Sequence, residues 1–250
     1  MGIIDVSFDF TIDTPDYWTD FWMRNNGLGA GKNDPDALSK TLQKYHQILW
    51  SKELPNGETM RLSYGDRRGY LIWKNFRFGS DSITASFRYN GYRQVLMQVE
   101  SAVPNYKLYV EGYLRKLYTI GGMIIFPKRK SGINQSRGCN SFIKDRWDLT
   151  LECIHRFYEG KESPLSSVLE KDKEFFELFV DFRGYVDFFY LQDCVSADYK
   201  TVKPWVGNLD FTYYPLPKTV DSYFEWMQNQ LEFVEKRNIR IEEAVDKLKL

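Results

Sequence analysis

Residues 127–146 read PKRKSGINQSRGCNSFIKDR and hold six cations, Lys128, Arg129, Lys130, Arg137, Lys144 and Arg146, against one anion, Asp145. Side chains of this kind recognise phosphate or carboxylate, and arginine does so through a planar fork that meets two oxygens at once. Asn134 and Gln135 add amide donors, and Gly138 loosens the backbone. The stretch runs into a helical pattern, whose leading backbone N–H groups lack partners and carry the positive end of the helix dipole. The expected seat for an anion comprises Lys128, Lys130, Asn134, Gln135, Arg137 and Arg146. SGINQSRG is neither a Walker loop nor a dinucleotide fingerprint, so this expectation rests on residue types alone. The competing reading is a solvated basic loop, although Ile133 and the Asn-Gln pair are odd choices for a segment that serves only solubility.

In the helix expected over 141–158, Ile143, Trp147, Leu151, Ile154 and Tyr158 recur at spacings that make one buried stripe. Asp145, Asp148, Glu152 and Arg156 fall on another face. Asp145 and Asp148 are the catalytic candidates: carboxylates beside a bound phosphorylated ligand can act as acid and base, or hold magnesium, in hydrolysis or in phosphoryl or nucleotidyl transfer. The plainer reading is a polar helix face with acids in its first turn and a Glu152–Arg156 ion pair one turn apart. Further on, DFRGYVDFFYLQD sets Asp181, Arg183, Asp187 and Asp193 among aromatics. Arg183 is the candidate for a second cation on the same anion, or half of a buried Arg–Asp pair.

Other chemistry has less to stand on. With two histidines in the chain, His46 and His155, a His-rich metal site is excluded, and no residue set is assigned to a metal. His46 sits beside an apolar helical stripe and His155 beside Arg156, so both are expected to be structural. No GxSxG and no CxxC occur. Cys139 lies among cations before a helix, where a thiolate would be stabilised; a small buried residue is the alternative. NNGLGAGK lacks the Gly-Lys-Ser/Thr ending of a phosphate loop and reads as a capping loop. Asp9, Asp13, Asp16 and Asp20 alternate with aromatics near the amino terminus; this suits a short helix after Pro15 with its rings in the core, and otherwise an acidic, aromatic docking surface or half of a carboxylate metal site.

The 250 residues carry 34 basic and 34 acidic side chains, so attraction of the whole surface to nucleic acid or anionic membrane is not expected and an anion site must be local. No apolar run is long enough to span a membrane. The opening MGIIDVSFDFTIDTPDY lacks a basic region followed by an apolar core, and position 6 is Val6, so neither a secretory leader nor a myristoyl acceptor is expected. Three widely spaced cysteines fit a reduced, cytoplasmic setting. The aromatic content, 17%, promises a large core. Its surplus supports the rival function, a non-enzymatic module that docks a protein partner through an aromatic-rich surface.

The elements that must position these residues follow in order. Alternation of Val6, Phe8, Phe10 and Ile12 with polar residues predicts a strand over 3–12. Asp34 and Pro35 open a helix expected to run to Ser51. LPNGE predicts a turn, and strands are expected over 60–64, 69–74, 76–78 and 83–87 as antiparallel neighbours. Residues 94–101 fit either helix or strand. A helix is expected over 105–118 with Leu108, Val110, Leu114 and Leu117 inward, stopped by Gly121-Gly122, then a short apolar strand over 123–126. Helices follow over 141–158, from Ser163, over 171–180 and over 185–195; an irregular crossing with three prolines leads to a long helix over 221–248. Strands first and helices later give an α+β fold, a single domain over 1–250 with an antiparallel sheet mostly from the first half and a helical second half.

The segments DTPDYW, NNGLGAGKNDPDALSKTLQKYHQILWSKELPNGE, INQSRG, IKDRWDLTLECI and FVDFRGYVDFFYLQD together resemble a bacterial domain family of unknown function, over nearly the whole chain. The resemblance implies a stand-alone cytoplasmic bacterial protein and carries no activity and no site residues with it. The function expected from the residues is binding of a phosphorylated ligand, a nucleotide or a nucleic-acid end.

Overall fold

The computed structural model describes residues 4–25, 33–65, 70–83 and 93–247. The loop NNGLGAGK and the strand expected over 83–87 lie almost wholly outside these residues.

Where a strand was expected over 3–12, the chain makes local turns and a 3-10 turn at Phe10–Asp13. The polar positions of the alternation decide this. Asp5 accepts from the Ser7 N–H at 2.9 Å and Asp9 from the Thr11 N–H at 2.9 Å, so each Asp-x-Ser/Thr closes on itself. The aromatic stretch that follows forms α1 (Tyr17–Asn25), with Tyr17 and Phe21 buried as the packing reading requires. Asp13 accepts from the Ser39 hydroxyl at 2.6 Å and from the Thr41 N–H at 3.1 Å, which ties this region to the next helices.

Asp34 caps α2 (Pro35–Leu38) with Pro35 in its first turn, as expected, but the helix is interrupted. Ser39 leaves helical geometry and caps α3 (Lys40–Trp50), its hydroxyl accepting from the Leu42 N–H. Four strands follow: β1 (Ser63–Tyr64), β2 (Tyr70–Trp73), β3 (Phe76–Ser82) and, after two helices, β4 (Met123–Pro127). They form one antiparallel sheet in the order β1-β2-β3-β4, with Leu71 opposite Phe78 and Phe78 opposite Pro127.

The ambiguous segment is helical, α4 (Arg93–Ala102), followed by α5 (Tyr106–Leu117). Leu108 is 68% exposed rather than inward; the buried stripe is Val110, Tyr113, Leu114 and Leu117. After β4 come α6 (Ile133–Cys139) and α7 (Trp147–Tyr158). The basic segment is thus half helix, and the helix expected from 141 begins six residues later. Asn140 captures the Phe142 N–H at 2.8 Å, and Lys144 and Asp145 take left-handed conformations that turn the chain before Trp147.

The second half continues with α8 (Ser166–Lys171), α9 (Lys173–Glu177), α10 (Phe182–Phe188) and α11 (Val220–Lys247). The helix expected over 185–195 starts earlier, because Asp181 caps it on the Gly184 N–H. It ends at Phe188, two residues before Tyr190 takes positive φ. Phe175, Phe176, Phe179, Tyr185, Phe188 and Phe189 pack in tilted and edge-to-face contacts into one aromatic core beside β3. Arg237 of α11 is buried and donates to the Phe189, Gly121 and Met123 carbonyls. Gly121 does not stop α5, which ends at Leu117 with Tyr118 as its cap; it lies in the 3-10 turn Ile120–Gly122, where a Cβ would stand 2.5 Å from the Val234 carbonyl oxygen, so its absence lets α11 pack on that turn. The molecule is a single α+β domain, its sheet drawn from the first half and its second half helical.

Candidate anion site

The basic segment leaves the edge of the sheet still paired, the Lys128 N–H donating to the Arg77 carbonyl at 2.6 Å. It then reverses in a tight turn, in which the Gly132 N–H reaches the Arg129 carbonyl and Ser131 takes positive φ. The Lys128 stem crosses Gly79 of β3, where a Cβ would sit 3.2 Å from its Cδ; glycine leaves room for that lysine to lie over the strand. The turn, the β2–β3 pair and the start of α6 line a cavity of about 370 Å³ that is open to solvent.

Four of the expected residues line it: Lys128, Lys130, Asn134 and Gln135. Arg77, Arg129 and Tyr70 join them, and among the described residues none that lines it is acidic. Asn134 is steadied by its amide, which donates to the Ser80 carbonyl at 3.4 Å. Tyr70 and Arg77 are diagonal neighbours in the β2–β3 register, with the guanidinium 5.7 Å from the ring centroid. Arg129 Nε stands 2.7 Å from Asp172 Oδ1. Asp172 sits between α8 and α9 and is 1% exposed; burial raises its pKa and Arg129 opposes the rise.

Three expected cations are elsewhere. Arg137 is 1% exposed and bound on every side. It donates to Thr150 Oγ1 at 3.2 Å, to Asp81 Oδ2 and the Ser82 carbonyl at 3.0 Å, and to the Asp145 carbonyl at 3.0 Å. An ion pair with the Asp145 carboxylate at 2.9 Å completes the set, so Arg137 locks α6 to α7 and β3. Arg146 is buried too, forked onto Asp148 and donating to the Pro215 and Val206 carbonyls. Arg183 is exposed on α10, paired loosely with Asp187 at 3.6 Å and lying over Tyr199.

Neither catalytic candidate lines the cavity. Asp148 belongs to the Arg146 fork and accepts the Trp205 N–H at 2.8 Å, so it anchors the irregular crossing instead of facing solvent. Asp145 and Asp81 both pair with Arg137, and Asp34 lies near enough to act on Asp81 and on Asp36 through space. Burial pushes Asp81 up to about 7, opposed by Arg137 and reinforced by Asp145, and burial likewise raises Asp36 well above the carboxylate range. Among the described residues no three His, Cys, Asp or Glu side chains converge so as to hold a metal ion. The polar-face reading holds for Glu152 and Arg156, which pair at 2.8 Å.

Both histidines serve structure. His46 is buried, accepts from Trp50 Nε1 at Nδ1 (2.9 Å) and therefore donates from Nε2 to Ser80 Oγ (2.9 Å); burial holds it near 3, so it is neutral. His155 packs on Phe182 with Glu152 and Glu159 within 4 Å of its nitrogens. Cys139 is exposed rather than buried, whereas Cys153 and Cys194 are interior.

Residue types pointed to the lysines and amides but not to Tyr70, Arg77 or Asp172. Tyr70 and Arg77 meet the basic turn through strand register, and Asp172 through helix packing. Residues 4–241 match DUF6994, a family of unknown function. Comparisons with curated proteins and with solved structures returned no match.

Proposed function

The chain belongs to the DUF6994 family, and from the chemistry of its basic cavity we propose that it binds a phosphorylated ligand, a nucleotide or a nucleic-acid end. One observation carries the reading: in a chain with no net charge, Arg77, Lys128, Arg129 and Lys130 share one cavity, and among the described residues no carboxylate lines it. A concavity walled by one sign of charge focuses its field on an entering anion and draws counter-charge from solution. Its volume, about 370 Å³, falls in the range of small-molecule sites. Tyr70 presents a ring beside the cations, and stacking a base on such a ring contributes about 1–3 kcal/mol. That favours a nucleotide or an unpaired terminal base over inorganic phosphate.

The proposal stops at binding. Asp145 and Asp148 are held in internal ion pairs away from the cavity, so neither is placed there as an acid or base. The rival reading, a protein-docking surface, has less support, because most aromatic rings among the described residues lie in or against the core. Titration with ATP, GTP and a 5′-phosphorylated oligonucleotide, read by calorimetry, tests the reading. Each exposed cation contributes up to about 1 kcal/mol, so the Lys128→Ala, Lys130→Ala double variant should bind about tenfold more weakly. Equal affinity in the variant, or no binding by the wild-type protein, removes the proposal.

A further inference from the structure

Asp172 is an unusual neighbour for an anion site. It lies just behind the basic turn, 1% exposed, and Arg129 is its sole partner: among the described residues no other donor serves either carboxylate oxygen. Arg129 is also a wall of the cavity and is itself 47% exposed. One guanidinium therefore faces two anionic clients, a buried carboxylate behind it and whatever occupies the cavity in front. The charged groups acting on Asp172 are Arg129, from the connection between β4 and α6, and Lys171, adjacent in sequence. Lys173, on the other side, is directed to Glu170 and Glu177. Arg137 of α6 is committed to Asp81 and Asp145.

We propose that anion binding in this cavity is coupled to proton uptake: Arg129 turns from Asp172 to the bound anion, and Asp172 takes a proton from solvent in its place. The inference rests on the proposed anion site and concerns how that site is regulated. The balance is simple, since one carboxylate and one solvent proton become one carboxylic acid while the guanidinium keeps its charge. The physical reason is desolvation. A buried carboxylate with no hydrogen-bond donor is tolerable while a cation faces it and costly once that cation leaves, so neutralisation follows. Burial already raises the Asp172 pKa against the pull of Arg129, so withdrawing Arg129 moves it further in the same direction. Linkage then makes the affinity for anions rise as pH falls, between the pKa of paired Asp172 and that of Asp172 alone.

Sulfate is the probe, because it keeps its charge where phosphate titrates. Its binding to the full chain is measured by calorimetry at constant ionic strength over a pH series that starts at the ordinary carboxylate range and runs to mildly alkaline pH. Two buffers of different ionisation heat are used, neither of them an anion. The wild-type protein should take up as much as one proton per sulfate, and its affinity should fall by up to about tenfold per pH unit within that span. Asp172→Asn should bind sulfate with no proton uptake and a flat pH profile. Arg129→Ala should bind more weakly and also without uptake. Sulfate binding by wild type with no proton uptake, or uptake retained in Asp172→Asn, overturns the coupling and leaves the anion site standing. No sulfate binding by wild type at any pH overturns the anion site, and the coupling with it.

Discussion

Arg137 Nη1 lies 3.0 Å from Asp81 Oδ2, joining the middle of α6 to the end of β3 inside the protein. The most basic stretch of the chain is therefore divided. Its first cations face a cavity, whereas Arg137 and Arg146 turn inward as the pins of two buried networks. This division separates residues whose loss should unfold the protein from residues whose loss should touch binding alone.

Arg137→Ala tests the first class. Removing one partner of a buried ion pair strands the others, at a cost of about 3–5 kcal/mol. Urea denaturation should show a loss of that size, whereas Lys128→Ala should lie within about 0.5 kcal/mol of wild type. Comparable losses in both would mean that the basic turn is structural throughout.

The carboxylates around Arg137 set a pH dependence. Asp81 is raised by burial to about 7 from an ordinary 3.8, so between those values the folded protein holds a proton that the unfolded chain releases. Its contribution to stability is full below the ordinary value and is lost as pH rises through about 7. Midpoints of chemical denaturation should fall from mildly acid to mildly alkaline pH, and Asp81→Asn should flatten that fall. An unchanged slope in the variant would place the titration elsewhere.

His46 has the opposite sign. Burial, helped by Arg237, lowers it to about 3 from 6.5. The stabilisation is present above the ordinary value and is lost as pH falls below it, because the unfolded chain gains a proton that the fold excludes. Nitrogen-detected NMR should find one neutral imidazole, protonated at Nε2, that does not titrate between about pH 5 and pH 8, across the ordinary histidine range. Titration of the His46 ring near 6.5 would contradict the Trp50–His46–Ser80 chain.

Gly121→Ala probes the seating of α11. Its Cβ would stand 2.5 Å from the Val234 carbonyl oxygen, so the helix must shift. Overpacking of this kind costs about 1–3 kcal/mol, readable as a lowered thermal midpoint. A neutral alanine there would show that α11 is free to move.

Much of the fold was legible because burial imposes a period. The stripe through Trp147, Leu151 and Ile154 and the apolar run at Met123–Pro127 are buried as their patterns require. The strand expected over 3–12 failed because Asp5 and Asp9 bond to Ser7 and Thr11 two residues on, and such contacts outcompete alternation. Asp148 carried the mark of a polar helix face yet is buried. One of its donors is the Trp205 N–H, 57 residues away, and no local pattern encodes that distance. Lys128, Lys130, Asn134 and Gln135 were found through residue type and adjacency. Tyr70 and Arg77 needed the hairpin register, and Asp172 needed the packing of α8 and α9 behind the turn.

The most direct test of the basic cavity is an NMR titration that compares adenosine, AMP and ATP at equal concentration. Amide shifts should concentrate at Tyr70, Arg77 and residues 128–135, should be negligible with adenosine, and should grow with the number of phosphates. Shifts that are equal for adenosine and ATP, or that cluster away from the basic turn, would contradict the claim that this cavity seats a phosphorylated ligand.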